Sequence, residues 1–142
     1  MKTKEYLKQI EVLDIKINQK QIELDELHLL AESTGGIQYG ERVQTSPRGD
    51  TLERKVVKCV QLEQEINEMI DNFVDLKHKI IGEIQGLSDP NHIEILFKKY
   101  VDYKKYPNLE HIAVAMNYSY PYIKELHGYA LAEFSRTYPN LL

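Results

Sequence analysis

Residues 109–131, LEHIAVAMNYSYPYIKELHGYAL, hold two short helical patterns with a few residues between them. Their apolar residues recur at the spacing of an amphipathic helix. They are Leu109, Ile112, Ala113 and Met116 in the first pattern, and Ile123, Leu126, Ala130 and Phe134 in the second, which continues past residue 131. Asn117 can take the left-handed conformation of a tight turn, and Ser119 can cap the second helix. The stretch therefore predicts two helices joined by a short turn.

The spacing of four residues in this stretch matches a helix-turn-helix. The motif needs a small residue where the helices cross, here Ala113, and a left-handed turn residue four positions on, here Asn117. It then needs an apolar residue six positions later and another three beyond, here Ile123 and Leu126, to hold the second helix against the first. The sequence therefore predicts a helix-turn-helix, with asparagine where glycine is the commoner turn residue.

A third helix is predicted before this pair. Ser88 or Asp89 can act as its N-cap, and a proline follows in the first turn. Its apolar stripe consists of Ile93, Leu96, Phe97, Tyr100 and Val101. The helix is expected to end before a turn that contains Pro107, because proline disfavours helix at the preceding residue. Residues 88–142 are therefore expected to form a small three-helix domain.

Residues 1–87 carry two long apolar repeats. The first consists of Tyr6, Ile10, Leu13, Ile17, Leu24, Leu27 and Ala31, and the second of Cys59, Leu62, Ile66, Met69, Phe73, Leu76 and Ile80. Steps of three and four alternate in both, with Lys20 as the one polar interruption, and this is typical of a coiled-coil seam. Ile15, Ile22 and Leu30 widen the apolar face of the first. We therefore expect an all-α protein in which a long antiparallel coiled-coil helical hairpin precedes the three-helix domain.

The two long helices are separated by a glycine-rich segment at about residues 33–50. It holds four of the seven glycines of the chain. A phosphate-binding loop of the Walker type ends in Gly-Lys-Ser or Gly-Lys-Thr, and neither GGIQYG nor SPRGD supplies this ending. The segment is therefore predicted to be a long connector within the hairpin.

Several runs of the chain resemble known transcription proteins. Residues 95–103, 109–113 and 117–131 together resemble region 4 of the sigma-70 family, in which a helix with an aromatic end precedes an Ile-Ala helix, a turn with a serine and a recognition helix. The whole chain, including TSPRGDTLE at residues 45–53, is similar to a family of short prophage-encoded proteins of Gram-positive bacteria. These proteins are similar in plan to phage late-operon transcription activators. The resemblance implies transcription regulation, with contact to promoter DNA or to RNA polymerase.

In a helix-turn-helix, the start of the second helix faces base edges in the major groove and the first helix crosses the backbone. Carried onto this chain, the motif places Ser119, Tyr120, Pro121, Tyr122, Lys124, Glu125 and His127 on the outward face. Lys124 would contact phosphate or guanine, and the two tyrosines phosphate or thymine methyl groups. Lys104 and Lys105, before the motif, would add phosphate contacts.

The charge of the chain favours a second hypothesis. Its net charge is -4, and residues 89–142 hold six basic and six acidic residues, so the strongly basic surface of a stand-alone DNA-binding protein is missing. The alternative is a protein-interaction adaptor that binds an RNA polymerase subunit or a phage protein and makes little direct contact with DNA. Tyr118, Tyr122 and Tyr129 would then simply pack the small domain.

Other function classes find no support in the sequence. The five histidines lack the spacing of metal ligands, no Ser-His-Asp or Cys-His arrangement stands out, and we expect neither an enzyme nor a cofactor. Cys59, the single cysteine, is expected to be a small buried core residue. No apolar run approaches a membrane span, so a cytoplasmic protein is expected. The seams of the hairpin predict a homodimer, which would also present two recognition helices to double-stranded DNA.

Overall fold

The computed structural model describes the backbone of residues 1–37 and 45–142, and the side chains of residues 1–32 and 52–142. Throughout the described backbone the protein is all-α, without a strand. Its helices are α1 (Thr3–Leu7), α2 (Gln9–Ile37), α3 (Thr45–Gln85), α4 (Pro90–Leu96), a π-helical segment (Phe97–Val101), α5 (Leu109–Met116), α6 (Tyr120–Thr137) and a 3₁₀ turn (Pro139–Leu141). Within these ranges no helix is both long and apolar enough to cross a membrane.

Two of the later helices, α4 and α5, each begin at a polar side chain that accepts a hydrogen bond from the first turn. The Asn91 N–H donates to Asp89 Oδ1 at 2.9 Å, and the His111 N–H donates to Asn108 Oδ1 at 3.0 Å. Such a cap satisfies an N–H that has no carbonyl partner within the helix. Of the two residues expected to cap α4, Ser88 and Asp89, the second does so.

After α4 the helix widens into the π-helical segment Phe97–Val101. The Asp102 N–H donates to the Phe97 carbonyl, five residues back, at 2.9 Å. Two pairs of neighbouring residues are buried here, Ile95 with Leu96 and Tyr100 with Val101. They lie five positions apart, whereas an α-helix repeats a face every three or four. The wider turn therefore keeps both pairs in the core.

The chain forms two compact units. One consists of Met1–Leu13 together with Phe73–Leu142, and the other of Asp14–Asn72. These bounds differ from the expected division into residues 1–87 and 88–142. The difference arises because apolar residues at the start of the chain and at the end of α3 pack into one core with the C-terminal helices.

The core of the first unit contains side chains from all of its helices. Its most deeply buried members are Leu7, Ile10, Ile80, Ile84, Ile95, Leu96, Ile112, Ile123, Ala130 and Phe134. The Phe134 ring lies 5.8 Å from the Tyr6 ring and 5.0 Å from the Tyr138 ring, measured between centroids. The Tyr138 hydroxyl donates to the Glu83 carbonyl at 2.7 Å and approaches Gly86 so closely that a Cβ there would collide with it. A larger residue at that position would therefore force the Tyr138 hydroxyl to move.

The second unit has a small core between α2 and α3. It consists of Leu24, Cys59, Leu62 and Ile66, and Leu27 packs against it. Two polar contacts flank it: Lys20 Nζ forms an ion pair with Glu65 Oε1 at 3.2 Å, and His28 Nε2 lies 3.4 Å from Glu63 Oε1. The prediction that Cys59 is a buried core residue is confirmed.

The segment expected to be a connector, residues 33–50, is partly helical. α2 continues to Ile37, and α3 begins at Thr45. Residues 38–44, the rest of the expected connector, lie outside the described residues. The expected connector is therefore too long at both ends, since glycine lowers helix propensity by only about 1 kcal/mol per residue and does not by itself end a helix.

Candidate nucleic-acid interface

The turn between α5 and α6 is defined by Asn117, whose φ of 59° and ψ of 44° lie in the left-handed region. The Tyr118 N–H donates to the Ala113 carbonyl at 3.0 Å, and the Asn117 N–H donates to the Val114 carbonyl at 3.2 Å. These two bonds form a Schellman motif, which satisfies carbonyls at the end of a helix. Asn117 is the turn residue that the sequence predicts, and it is the single non-glycine residue with positive φ in the described part of the chain.

The second helix begins immediately after this turn. Ser119 is its N-cap, and its hydroxyl accepts a hydrogen bond from the Tyr122 N–H at 3.3 Å. Pro121 lies in the first turn, where its missing N–H costs nothing because that group would have no helical partner. The start of α6 is therefore fixed within three residues of the turn.

The two helices pack through the residues that the spacing predicts. Ala113 is 5% exposed at the crossing, and Ile123 and Leu126 are almost completely buried. The side chains at this crossing belong to the core of the first unit, which also contains Ile112 and Ala130. The orientation of α6 is therefore determined by packing as well as by the turn.

Most of the residues expected on the outward face lie there. Ser119, Tyr120, Pro121, Tyr122, Lys124 and Glu125 are all exposed. Lys124 Nζ lies 5.0 Å from the centroid of the Tyr120 ring, a cation–π contact that holds both side chains along the first turns of α6. The edge of one ring of the Tyr118–Tyr122 pair meets the face of the other, with centroids 4.8 Å apart. These residues form an exposed aromatic surface that carries one lysine and one glutamate, and we call it the α6 surface.

Tyr118, Tyr122 and Tyr129 do not pack the interior of the domain. Their exposed fractions are 40%, 41% and 63%. Tyr118 contacts Tyr122 and therefore lies on the α6 surface. The sequence had left packing of the small domain as an alternative for Tyr118. An exposed tyrosine presents both a flat apolar face and a hydroxyl, so it can contact sugar, base or phosphate.

Lys104 and Lys105 are exposed in the turn before α5. Lys105 Nζ lies 5.5 Å from the centroid of the Tyr106 ring, and Lys98 Nζ lies 4.7 Å from the same centroid. The Tyr106 ring therefore contacts lysines of two elements, the π-helical segment and the turn. Lys98 was not among the predicted site residues. Its one sequence signal was its position in the chain ahead of Lys104, Lys105 and Tyr106.

The prediction that His127 faces outward is wrong. Its side chain is 9% exposed, and its Nε2 lies within hydrogen-bond distance, 2.7 Å, of the Tyr100 hydroxyl. Burial, together with the nearby charges of Lys4 and Lys99, lowers the pKa of His127 to about 4. A neutral, buried imidazole cannot contact DNA, so His127 instead joins α6 to the π-helical segment.

Glu133 forms a second polar link from α6, in this case to α4 and to Ser88 ahead of it. The Ser88 N–H donates to Glu133 Oε2 at 2.8 Å, and His92 Nδ1 lies 2.6 Å from Glu133 Oε1. The Ser88 N–H is the main reason that the pKa of Glu133 is lowered, with the His92 hydrogen bond as a smaller contribution. This carboxylate therefore holds the C-terminal half of α6, while the outward face of its N-terminal half stays exposed.

Val114 is an apolar residue that the sequence interpretation did not single out. It is 83% exposed on α5, the largest exposed fraction among the large apolar residues of the described chain. The sequence contained a signal for this exposure, because Val114 does not belong to the apolar stripe formed by Ile112, Ala113 and Met116. An exposed valine on the first helix of the pair offers an apolar contact for a partner.

The chain matches no family model, no curated protein and no solved structure.

Proposed function

We propose that this protein is a phage-type transcription regulator that binds promoter DNA through a helix-turn-helix formed by α5 and α6, acting together with RNA polymerase. In this proposal residues 88–142 are the sigma-70 region 4-like part, and residues 1–87 are an antiparallel coiled-coil hairpin. The hairpin makes the protein a homodimer. Double-stranded DNA and RNA polymerase are its partners.

One observation carries the proposal: one face of the N-terminal half of α6 is exposed directly after a tight left-handed turn. A recognition helix needs this arrangement, since residues near its N-terminus must reach base edges while the preceding helix lies across the backbone. Tyr120, Tyr122 and Lys124 lie on that exposed face. The packing of Ile123 and Leu126 against the core supports a fixed presentation of these side chains.

The charge of the surface predicts how strongly it binds. Lys104, Lys105 and Lys124 are the exposed cations closest in sequence to the turn, and Glu125 opposes them. Each phosphate contact contributes about 0.9 to the slope of log K against log salt, so three contacts give a slope near -3. Binding by the protein alone is therefore expected at low salt, and RNA polymerase would supply the affinity required at physiological salt.

A second function, an adaptor that contacts RNA polymerase or a phage protein with little DNA contact, is favoured by Val114. This side chain is 83% exposed on the helix that would cross the DNA backbone. An apolar side chain gains nothing from phosphate, whereas it would be buried in a protein interface.

A selection from random DNA at low salt, with and without RNA polymerase, tests the proposal. The test variant carries Tyr120→Ala and Lys124→Ala, and the control carries Tyr129→Ala and Lys79→Ala, which remove the same groups from exposed positions elsewhere. We expect the test variant to lose sequence enrichment and the control to retain it. Enrichment that survives in the test variant would remove the α6 surface as the DNA contact. Enrichment that appears only when polymerase is present, and that is lost when Val114 is replaced, would favour the adaptor.

A further inference from the structure

A second apolar repeat runs along α3, beside the one that packs against α2. It consists of Val56, Val60, Glu63, Asn67, Ile70 and Val74, and we call it the outer seam. Its steps are four, three, four, three and four residues, the spacing of a coiled-coil seam. Its apolar members are 50%, 48%, 42% and 57% exposed, whereas Cys59, Leu62 and Ile66 of the packed repeat are 4–6% exposed. The helix thus has the pattern for a second helical neighbour.

The outer seam reads the same in both directions. Around residue 65, it runs apolar, apolar, polar, polar, apolar and apolar whether read from Val56 or from Val74. In an antiparallel pair of identical helices centred there, Val60 meets Ile70 of the other copy, and Glu63 meets Asn67. One oxygen of the carboxylate lies 3.4 Å from His28 Nε2 of its own chain, and the other can then accept a hydrogen bond from the amide. In a parallel pair, Glu63 would meet its own copy, and two carboxylates would repel each other.

α2 also carries exposed apolar residues at seam spacing, namely Val12, Ile15, Ile22 and Leu29, with Gln19 and Glu26 at the two remaining seam positions. This series is not symmetric. In an antiparallel pair of identical helices, Ile15 would meet Glu26 and Gln19 would meet Ile22, so apolar side chains would face polar ones. The face of α3 is therefore the better candidate for self-association.

We propose that two copies of this chain associate through the outer seam, with their α3 helices antiparallel and a two-fold axis near residue 65. This specifies the homodimer of the proposed function and names its surface, but it does not require DNA contact. The match of apolar with apolar positions and of Glu63 with Asn67 is the reason that a second copy, rather than another protein, is the occupant. Because four apolar side chains per chain are each only about half exposed, the interface is small, and a micromolar dissociation constant is expected.

Sedimentation equilibrium of the full chain without DNA tests the surface. Val60→Glu combined with Ile70→Glu places charges in the outer seam, so the dissociation constant should rise about a hundredfold or more. Ile22→Glu is the matched control, since it places the same charge on an exposed apolar position of α2, and the dimer should persist. A wild-type chain that stays monomeric at 100 µM (about a hundred times a micromolar constant), or a dimer lost in the control and kept in the test variant, overturns the proposal.

Asn67→Lys tests the orientation, because the new ammonium group meets Glu63 in an antiparallel pair and its own copy in a parallel pair. We expect the dissociation constant to fall severalfold, and a rise would exclude the antiparallel arrangement. Disulfide formation gives an independent reading in a Cys59→Ser background. A mixture of the Glu63→Cys and Asn67→Cys chains should cross-link to each other, while Glu63→Cys alone should not. Neither measurement contains DNA, so their failure is distinct from failure of the DNA-binding proposal.

Discussion

The α5–α6 pair and the α2–α3 pair both hold two helices together, but they rely on different kinds of interaction. Between α5 and α6, a left-handed Asn117, a Ser119 cap and a small Ala113 act within seven residues. Between α2 and α3, the described contacts are a repeated apolar seam, the Lys20–Glu65 ion pair and the His28–Glu63 contact. Exposed ion pairs contribute roughly 0–1 kcal/mol each, so the seam provides most of the stabilisation.

This difference shows what each kind of interaction determines. Local turn and cap interactions fix the geometry of a few residues, which is what a recognition surface needs. A repeated seam determines which face of a helix is covered. One helix can carry two such seams side by side, as α3 does. Mutations in the two pairs should therefore differ in size and in kind.

The largest difference is expected from removing a core side chain. Phe134→Ala in the first unit should lower the free energy of unfolding by about 4 kcal/mol, because the completely buried ring leaves a cavity between Tyr6 and Tyr138. Leu24→Ala in the small α2–α3 core should cost about 2–3 kcal/mol. Urea denaturation followed by circular dichroism measures both, with the exposed Val114→Ala as control. An equal or larger loss for Leu24→Ala would contradict the comparison.

The next effect depends on pH and belongs to the first unit alone. Between pH 6.5 and about 4 the unfolded chain binds a proton at His127 that the folded chain does not, because burial lowers its pKa. Stability therefore falls as pH is lowered through this window, by on the order of 2 kcal/mol after allowance for partial solvent screening.

His127→Gln should flatten this pH dependence, whereas Tyr100→Phe, which leaves the imidazole buried, should keep it. Unfolding curves at pH 7 and pH 5 make the measurement, because this interval lies above the ordinary pKa of 4.5, below which the pKa of Glu133 is held by its hydrogen bonds. An equally steep dependence in His127→Gln would assign it to another group.

A smaller effect is expected at the turn. Asn117→Ala should cost about 1–2 kcal/mol, because alanine has no side-chain compensation for left-handed φ, while Asn117→Gly should change stability by less than about 0.5 kcal/mol. Asn72→Ala, on an exposed position of α3, is the control and should be neutral or slightly stabilising, since alanine is the better helix former. If both alanine substitutions behave alike, the turn does not depend on Asn117.

The smallest effect is expected at the cap of α6. Ser119→Ala should lower stability by about 1 kcal/mol, and Ser119→Asp should preserve it, because a carboxylate also accepts the Tyr122 N–H. Thermal unfolding measures the change. A larger loss of DNA binding than of stability in Ser119→Ala would show that the hydroxyl has a second role at the proposed surface.

Much of the fold could be predicted because periodicity reports directly on burial. Every apolar position of the two predicted seams is buried or half-buried, and Asn117 and Ser119 lie at the predicted turn and cap. The all-α prediction is confirmed. Periodicity cannot report which distant segment covers a stripe. Tyr6 forms a hydrogen bond with Glu83, 77 residues away, so the start of the chain belongs to the unit that contains the C-terminal helices.

Most of the candidate surface was predicted from the motif alone, and His127 shows where that prediction stopped. Its position, four residues after Ile123, lies on the buried face of α6, but the motif carried onto this chain placed it on the outward face. The partner that satisfies it, Tyr100, lies 27 residues earlier in the chain, and one sequence gives no measure of that proximity. For a buried polar residue with a distant partner, the residue type predicts exposure, whereas the helical period predicts burial.

The π-helical segment Phe97–Val101 can be understood as the mark of one additional residue within a helix. It rotates everything after it by about 100° relative to a continuous α-helix, which is the angle that one residue spans. Deleting Lys99 would therefore leave Ile95 and Leu96 four positions before Tyr100 and Val101, the spacing at which an ordinary α-helix keeps both pairs on one face.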